Sequence, residues 1–248
     1  MRTLLAISPH LDDAVFSAGA TLWSEAQTPD TRVIVATVFT GNVADPTGFA
    51  LACQIDKGLP PEIDYMALRR EEDRAACTAI GAEPLHLPLL EAPHRGYGDP
   101  AALFGPVHSK DPARDAVGNH LEQLLLKLRP DRLLGPLAIG GHVDHVIVRD
   151  ALAKAAGRTD LWLWEDWPYV DRAGPRDRSR ARHLPHGGVG IARKLVACSC
   201  YRSQMGFQFG GTEALKRRLE AQEGEWFVAE QDGGTVVNFM PGPQEAGI

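Results

Sequence analysis

A histidine and two aspartates stand close together near the start of the chain, in the segment Pro9-His10-Leu11-Asp12-Asp13. They follow the apolar run Leu4 to Ile7, which is typical of a short buried strand and stops at a Ser-Pro turn signal. His10 and Asp13 are three residues apart across the expected first turn of a helix, so their side chains can converge. An imidazole and a carboxylate placed in this way can hold two corners of a zinc site, and Asp12 between them is a candidate base.

A second group of the same residue types lies far along the chain, in Gly141-His142-Val143-Asp144-His145. It follows the predicted strand Arg132 to Leu137. Together the two segments offer three metal ligands and leave further polar groups over, and three protein ligands plus a water is the pattern of catalytic zinc. A metal ion lowers the pKa of such a water to about 7, which supplies hydroxide at physiological pH.

Each of these two motifs is weak when taken alone, because a histidine and an aspartate at a helix start also fit a capping carboxylate beside a surface histidine. Both motifs fall at the carboxyl ends of predicted strands, where open parallel sheets bind their ligands. That coincidence favours a metal site over chance. The remaining histidines have no comparable spacing and are predicted to be solvated or buried in the core: His86, His94, His108, His120, His183 and His186.

The elements that must position these groups alternate between strand and helix. Strands are predicted at 4–7, 32–39, 84–90, 132–137, 160–164 and 225–230, and helices at 14–26, 66–80, 113–128, 146–156 and 213–221. This alternation predicts an α/β fold of three layers, Rossmann-like, with a mostly parallel sheet flanked by helices. Two stretches without a period, 99–112 and 171–190, are predicted to be surface excursions. We expect residues 1–248 to form a single domain.

Composition narrows the class of partner. The chain has 248 residues, 44% of them hydrophobic, and a formal net charge of −6, which argues against nucleic acid. An arginine cluster at 172–182 has no interleaved aromatic residues and is predicted to be a solvated loop. Four cysteines without CxxC spacing indicate reduced thiols in a cytoplasmic protein. No stretch approaches the ~18 apolar residues of a membrane span, and a homo-oligomer is compatible with the sequence.

Several motifs together resemble a known family. Ile7-Ser8-Pro9-His10-Leu11-Asp12-Asp13 is similar to the PHPDDE signature of the PIG-L/LmbE-like zinc de-N-acetylases, in the PHLDDA form that some members carry. The turn Thr40-Gly41-Asn42, the RxxExxxAxxxxG pattern from Arg69 to Gly81 and the second-histidine motif at 141–145 fit the same family. Residues Lys194 to Gln204 resemble its KxxA…SQ segment, so the resemblance covers residues 3 to 205.

The resemblance implies a role for each matching residue. His10, Asp13 and His145 would hold Zn²⁺, although Fe²⁺ or another divalent ion also suits two histidines and an aspartate. Asp12 would act as general base and then as general acid. His142 would stabilise the oxyanion or protonate the leaving amine, and Asp144 would orient His142.

The sequence departs from the family pattern at two positions, and it offers three candidate substrate contacts. Leu11 and Ala14 stand where the family has Pro and Glu, which puts in doubt any supporting role of that Glu. Arg69, Glu91 and Arg95 are predicted to contact substrate, with a surface ion pair as the alternative for Glu91 and Arg95. The aromatic run Trp162 to Tyr169 favours core or interface for Trp162 and leaves Trp167 and Tyr169 as sugar-stacking candidates.

The function that these residues indicate is metal-dependent removal of an N-acetyl group from an N-acetylglucosamine-type sugar or glycoconjugate. Two alternatives remain at this point. One is a metal-dependent phosphoesterase, which the polar Thr40-Gly41-Asn42 turn would suit. That reading lacks a P-loop, a GxGxxG turn and the extra carboxylates of a two-metal site. The other is a non-catalytic sugar-binding module, which would have no need of Asp12 and His142 beside a metal.

Overall fold

A seven-stranded sheet forms the centre of the molecule in the computed structural model, which describes residues 1–230. The strand order across the sheet is β3-β2-β1-β4-β5-β7-β6. The strands are β1 (Arg2–Ser8), β2 (Thr31–Thr37), β3 (Glu83–His86), β4 (Arg132–Pro136), β5 (Asp160–Trp164), β6 (Ala181–Pro185) and β7 (Gly224–Glu230). The first five strands run parallel, and β7 pairs antiparallel with both β5 and β6.

Helices cover both faces of this sheet, which confirms the predicted three-layer α/β class. They are α1 (Asp13–Ala26), α2 (Gly48–Ile55), α3 (Tyr65–Ile80), α4 (Pro100–Leu103), α5 (Ala113–Leu128), α6 (Val143–Ala155), α7 (Gly188–Cys198), α8 (Arg202–Phe209) and α9 (Thr212–Glu220). Two short 3₁₀ helices lie at Ala92–Arg95 and Tyr169–Arg172. None of the helices within residues 1–230 combines the length and apolar character needed to cross a bilayer.

Strand alternation divides the core into two layers. In β1, Leu4 and Ala6 pack on the side of α1, α3 and α7, whereas Leu5 and Ile7 pack on the side of α5 and α6. Because successive side chains of a strand point to opposite faces, a fully apolar run is buried on both. This explains why β1 reads as a continuous apolar segment rather than an alternating one.

The strand order reverses between β1 and β4, which are neighbours in the sheet but distant in sequence. At such a reversal the loops that follow the two strands lead away on opposite faces and leave a crevice between them, where α/β proteins bind ligands. The two histidine motifs lie in these two loops. The sheet therefore brings residues 10–13 and 142–145 to one crevice.

The prediction that residues 171–190 form a surface excursion is right for residues 171–180, which are exposed except for Arg176. It is wrong for the rest of the stretch, which forms β6, the edge strand, and the start of α7. The arginine cluster is mostly exposed, as predicted, although Arg176 and Arg178 both bind the buried carboxylate of Glu165. Arg182 also lies over the ring of Trp162, at 4.6 Å from its centroid. The aromatic partners come from distant strands, so local sequence gave no sign of them.

The predicted surface excursion at 99–112 is likewise partly buried. Asp111 is 6% exposed and accepts hydrogen bonds from Arg95 and from the hydroxyl of Tyr97. The helix α4 also lies within this stretch, with the Asp99 carboxylate accepting from the backbone N–H of Ala102. The segment is thus fixed to the body of the protein by buried polar contacts.

A buried ion pair joins α7 to β7. Lys194 Nζ lies 2.8 Å from Glu225 Oε1, and the two side chains are 1% and 2% exposed. The Glu225 carboxylate also accepts from the backbone N–H groups of Ala20 and Thr21 in α1. Burial alone would raise the pKa of Glu225, but the charge of Lys194, with His186 and these hydrogen bonds, outweighs burial and lowers the pKa.

We expect this pair to make stability depend on acid pH. Because the folded pKa of Glu225 is depressed, its contribution is present above the unfolded value near 4.3 and is lost as pH falls through the folded pKa. Replacing Lys194 with Met leaves a buried, unpaired carboxylate and should lower the free energy of unfolding at pH 7 by about 3–5 kcal/mol. The double change Lys194→Met with Glu225→Gln should recover much of this loss. Urea unfolding at pH 7 and pH 4 measures the free energy of unfolding of the wild type and both variants. A Lys194→Met variant as stable as the wild type at pH 7 would contradict the prediction.

Candidate metal centre

Three side chains from the two loops converge on one point. His10 Nδ1 lies 3.1 Å from Asp13 Oδ2, and His145 Nε2 lies 3.2 Å from the same oxygen. His10 follows β1, Asp13 opens α1 and His145 lies in the first turn of α6. One ligand atom from each of the three lies within 4.8 Å of the other two, which is the spacing of a shared coordination sphere. The structure therefore brings together the three residues predicted to hold a metal.

The second nitrogen of each histidine is held by a different carboxylate. His10 Nε2 lies 2.9 Å from Asp144 Oδ2, and His145 Nδ1 lies 2.8 Å from Asp166 Oδ1. An ionised carboxylate can only accept a hydrogen bond, so each imidazole in its neutral form places its proton on that side and presents a lone pair to the other. Histidines that bind metals are oriented in this way by carboxylates around them.

One buried atom at this point lacks a partner. Among the described residues, His145 Nε2 has no accessible surface and makes no hydrogen bond, although Asp13 Oδ2 is close to it. A buried polar atom left without a bond is costly, and such atoms are rare in folded proteins. A metal ion bound between His10, Asp13 and His145 would satisfy it, so the residues present fit a divalent cation.

Asp166 was not among the residues predicted from sequence. It is the second residue after β5, is 1% exposed, and its second oxygen accepts from the backbone N–H of Ile139, 2.8 Å away. Ile139 lies in the loop that leads to His142, so Asp166 fixes both that loop and the His145 ring. The sequence signal for Asp166 as a site residue was its place near the carboxyl end of a third parallel strand. The aromatic residues on either side of it favoured packing as the role of this segment.

The predicted role of Asp144, orienting His142, is not what the structure shows. The Asp144 carboxylate accepts from Arg95, from the backbone N–H of Ala92 and from the ring of His10. Only the backbone N–H of Asp144 meets His142, donating to Nδ1 over 3.2 Å. The family resemblance implied that role, but at the start of α6 the Asp144 carboxylate lies against His10 and Arg95 instead.

Charge on the triad is set by burial and by close opposite charges. Burial by itself would lower the pKa of His145, but the Asp13 and Asp166 carboxylates outweigh burial and raise the pKa to about 9. The pKa of His10 is raised for the same reason by Asp13 and Asp144, and the pKa of Asp13 is lowered although burial opposes this. Protons and a metal ion therefore compete for the same lone pairs, as is usual for metal ligands.

Asp12 is placed beside the triad and joined to Arg69. Its Oδ2 lies 3.1 Å from Arg69 Nη2, and Arg69 Nη1 lies 2.9 Å from Glu91 Oε1. Burial raises the pKa of Asp12 to about 6, against the opposing attraction of Arg69. Because a general base works best with a pKa near the operating pH, this value suits proton transfer near neutrality.

Two of the three residues predicted to contact substrate are bonded to other side chains of the protein. Arg69 is 4% exposed and bridges Asp12 and Glu91. Arg95 is bound to both Asp111 and Asp144, and its side chain is 7% exposed. Both guanidinium groups therefore support carboxylates of the site, which corrects the prediction that they face substrate. Glu91 is more open, with 16% of its side chain exposed.

A pocket of about 340 Å³ adjoins Glu91. Polar side chains on its wall include Asn42, Lys57, Tyr65 and His94. It lies between α2, the start of α3 and the first 3₁₀ helix, which are elements that long loops after β2 and β3 deliver to the same edge of the sheet. Glu91 and Arg69 connect this space to Asp12, and its polar side chains are suited to a hydroxyl-rich ligand.

His142 lies at the N-cap of α6 and is held as a neutral ring. Burial, helped by the charges of His10 and His145, lowers its pKa to about 3. Its Nδ1 accepts from the backbone, which places the proton on Nε2. His142, His10 and Asp144 are also close enough to share an ion, but this set uses His10 a second time and an Asp144 carboxylate already bound by Arg95.

Comparison with known proteins assigns the chain to a family. Residues 5–156 match the family described as PIG-L, GlcNAc-PI de-N-acetylase, and this stretch is more than half of the chain. The protein belongs to the PIG-L family. The match includes both histidine motifs and Arg69, so it covers every residue of the triad as well as Asp12 and His142. The resemblance inferred from sequence is thereby confirmed.

Three of the proteins similar to this chain are deacetylases. The chain is 34% identical over 194 residues to 2'-N-acetylparomamine deacetylase of Streptomyces fradiae, covering 77% of this chain and 66% of the relative, just under two thirds of its length. The zinc-inhibited form of the teicoplanin deacetylase Orf2 superposes with a TM-score of 0.77 at 29% identity, covering 93% of this chain and 100% of that one. The A40926 pseudoaglycone deacetylase Dbv21 gives a TM-score of 0.73 at 29% identity, over 91% of this chain and 95% of that one.

Proposed function

We propose that this protein is a metal-dependent hydrolase that removes the acetyl group from an N-acetylated amino sugar or glycoconjugate. The observation that carries the proposal is the convergence of His10, Asp13 and His145 around an unpartnered buried nitrogen, with Asp12 alongside. The relatives named above are deacetylases rather than phosphoesterases, which supports this reading over the phosphoesterase alternative.

His10, Asp13 and His145 are the proposed ligands, and Zn²⁺ is the proposed metal, with Fe²⁺ as the alternative that the same donors accept. When bound, the ion would polarise the amide carbonyl and make hydroxide available near neutral pH. Asp144 and Asp166 hold the two imidazoles with their lone pairs toward this point. The protein thus supplies a preformed set of three donors rather than one that assembles on binding.

Asp12 moves the proton in the proposed reaction. It takes a proton from the attacking water as the new carbon–oxygen bond forms, and gives that proton to the amide nitrogen as the carbon–nitrogen bond breaks. The products are acetate and a free amine on the sugar, and no other reactant is consumed. Arg69 holds the Asp12 carboxylate in place, while burial keeps its pKa high enough for it to return the proton.

His142 is the proposed stabiliser of the developing negative charge on the carbonyl oxygen. Its backbone bond leaves Nε2–H as the free donor, so the neutral ring can donate a hydrogen bond to that oxygen. A fixed donor of this kind, held in a buried site, stabilises charge as it forms and needs no reorganisation.

The substrate class follows from the surroundings of Glu91. Its carboxylate borders the polar pocket and accepts from Arg69, which leaves an oxygen for the hydroxyls of a sugar. We therefore propose an N-acetylglucosamine-type ring with its acetamido group over the triad. A cytoplasmic location completes the proposal, in keeping with the four free cysteines.

The direct test is acetate release from a panel of N-acetylglucosaminides by protein loaded with Zn²⁺ or Fe²⁺. We expect turnover with at least one member and loss of turnover after chelation. Acetate release equal to that of an Asp12→Asn control across the whole panel and with both metals would overturn the proposal.

Asp166 gives a prediction of its own. The change Asp166→Asn should weaken metal binding by about 10–100-fold, because an amide can no longer orient His145 as an ionised carboxylate does. Competition with a chelator of known affinity measures the change. Asp150→Asn is the matched control, since this aspartate lies on the same helix as His145 with its side chain 41% exposed. Equal metal affinity in the two variants would show that Asp166 does not support the site.

A further inference from the structure

Two aromatic side chains border the histidines of the site, and we call Phe104 and Tyr169 the aromatic wall. The Phe104 ring meets His142 edge-on with centroids 5.4 Å apart, and the Tyr169 ring meets His145 in the same way at 5.4 Å. The two aromatic rings lie 6.0 Å from each other. Both residues are half-buried, so part of each remains accessible.

Both rings of the wall are held in place by the fold. Tyr169 packs on Gly140, where a Cβ atom would come within 3.1–3.3 Å of three of its side-chain atoms, so only glycine lets the ring come this close. Phe104 directly follows α4, in the segment fixed by the contact between Tyr97 and the buried Asp111. The wall is therefore a preformed surface.

The two edges of the site differ in chemistry. Asp12, Arg69 and Glu91 form a charged edge that continues into the polar pocket. The edge at His142 and His145 is lined instead by the aromatic wall. An N-acetylated sugar has the same asymmetry, because one side of its amide carries a hydroxyl-rich ring and the other a single methyl group.

These edges match the roles proposed for the neighbouring residues. Asp12 has to reach the amide nitrogen, which carries the sugar, so the sugar lies toward the charged edge. His142 is the proposed donor to the carbonyl oxygen, and His145 is a proposed ligand of the ion that would polarise it. With the sugar toward the charged edge, the side where the aromatic rings contact these two histidines is available to the acyl group.

We propose that Phe104 and Tyr169 receive the acyl methyl and restrict the enzyme to short acyl groups. This inference rests on the proposed deacetylase function and names residues that set its acyl specificity. Rings held against His142 and His145 would contact a methyl group and would stand in the path of a longer chain. One methylene in such an apolar pocket is worth about 10–200-fold in selectivity.

The test measures kcat/KM for methyl glucosaminides that carry acetyl, propanoyl, butanoyl and hexanoyl groups. In Phe104→Ala and in Tyr169→Ala, the ratio of the butanoyl to the acetyl value should rise at least about 10-fold over the wild type. In Tyr169→Phe, which keeps the ring, and in the surface control Leu126→Ala, the ratio should stay at the wild-type value. Leu126 lies on α5 and is 77% exposed.

A loss of activity that is equal for all acyl lengths would mean that the rings serve only to hold the histidines, and would overturn the inference. Metal affinity is measured in each variant so that a damaged ligand set is recognised separately. If the wild type hydrolyses none of the amides, the proposed function fails, and binding still tests the wall. In saturation-transfer NMR with methyl N-acetylglucosaminide, the acetyl methyl should receive saturation in the wild type and lose it in Phe104→Ala. Its absence in the wild type would count against the wall.

Discussion

Replacing Asp12 with asparagine should lower kcat for N-acetylglucosaminide hydrolysis by about 10²–10⁴-fold, the usual contribution of a general acid–base group. The amide keeps the size of the side chain and can still accept from Arg69. It cannot take up a proton from water or return one to the leaving nitrogen. Metal content should be unchanged, because Asp12 is not among the three proposed ligands.

Steady-state kinetics with metal analysis of the same samples would measure both quantities. Asp115→Asn is a suitable control, since it removes an exposed carboxylate from the first turn of α5. A kcat within a few-fold of the wild type would exclude Asp12 as the base. Loss of the metal along with activity would instead make Asp12 a ligand.

The second large effect is expected from His145→Ala. This change removes a donor atom itself, so metal affinity should fall by more than the 10–100-fold typical of groups that only support ligands. It also leaves Asp166 buried without its imidazole partner. Activity and metal content should therefore fall together, unlike the outcome for Asp12→Asn.

Chelator competition and acetate release on the same preparation would test this expectation. His120→Ala, on α5 and away from the triad, controls for the loss of a histidine as such. Full metal content with full activity in His145→Ala would refute the ligand assignment. Partial rescue of metal binding by added imidazole would further indicate that the missing donor is the ring nitrogen.

The sequence predicted the triad because its signals are local. Each histidine motif directly follows a strong apolar strand, and the parallel arrangement of those strands brings their carboxyl ends to one crevice. The same reasoning located most helices and strands within a few residues. The short β3 is an exception, since it ends at His86 rather than continuing to Leu90.

What the sequence did not predict depends on contacts between distant segments. Asp144 turns toward His10 rather than His142, and Arg95 binds buried carboxylates rather than facing substrate. These outcomes are decided by which groups remain unpaired once the sheet has formed. Strand β6 was missed because the arginine-rich segment that leads into it looked solvated. The partners of Arg182 and Arg178, which are Trp162 and Glu165, come from β5 and the residue that follows it.

Trp167 shows the same limit. As a residue in an aromatic run it was a sugar-stacking candidate, but it is 3% exposed and its ring packs against Phe209 at 4.7 Å. Tyr169, only two residues further on, is half-buried and borders the site. Aromatic residues two positions apart can thus lie in the core and at the crevice. Which of them is buried depends on the backbone path, which the sequence pattern does not show.

The reversal of strand order between β1 and β4 has a consequence for thermal behaviour. Two of the proposed donors belong to the half of the sheet that contains β1, β2 and β3, and the third belongs to the half that begins with β4. An ion held by all three would add a cross-link between the two halves, beside the pairing of β1 with β4 and the packing of α1 on α7 and β7. Because such an ion binds the native state and not the unfolded chain, loading should raise the melting temperature in proportion to the logarithm of free metal concentration.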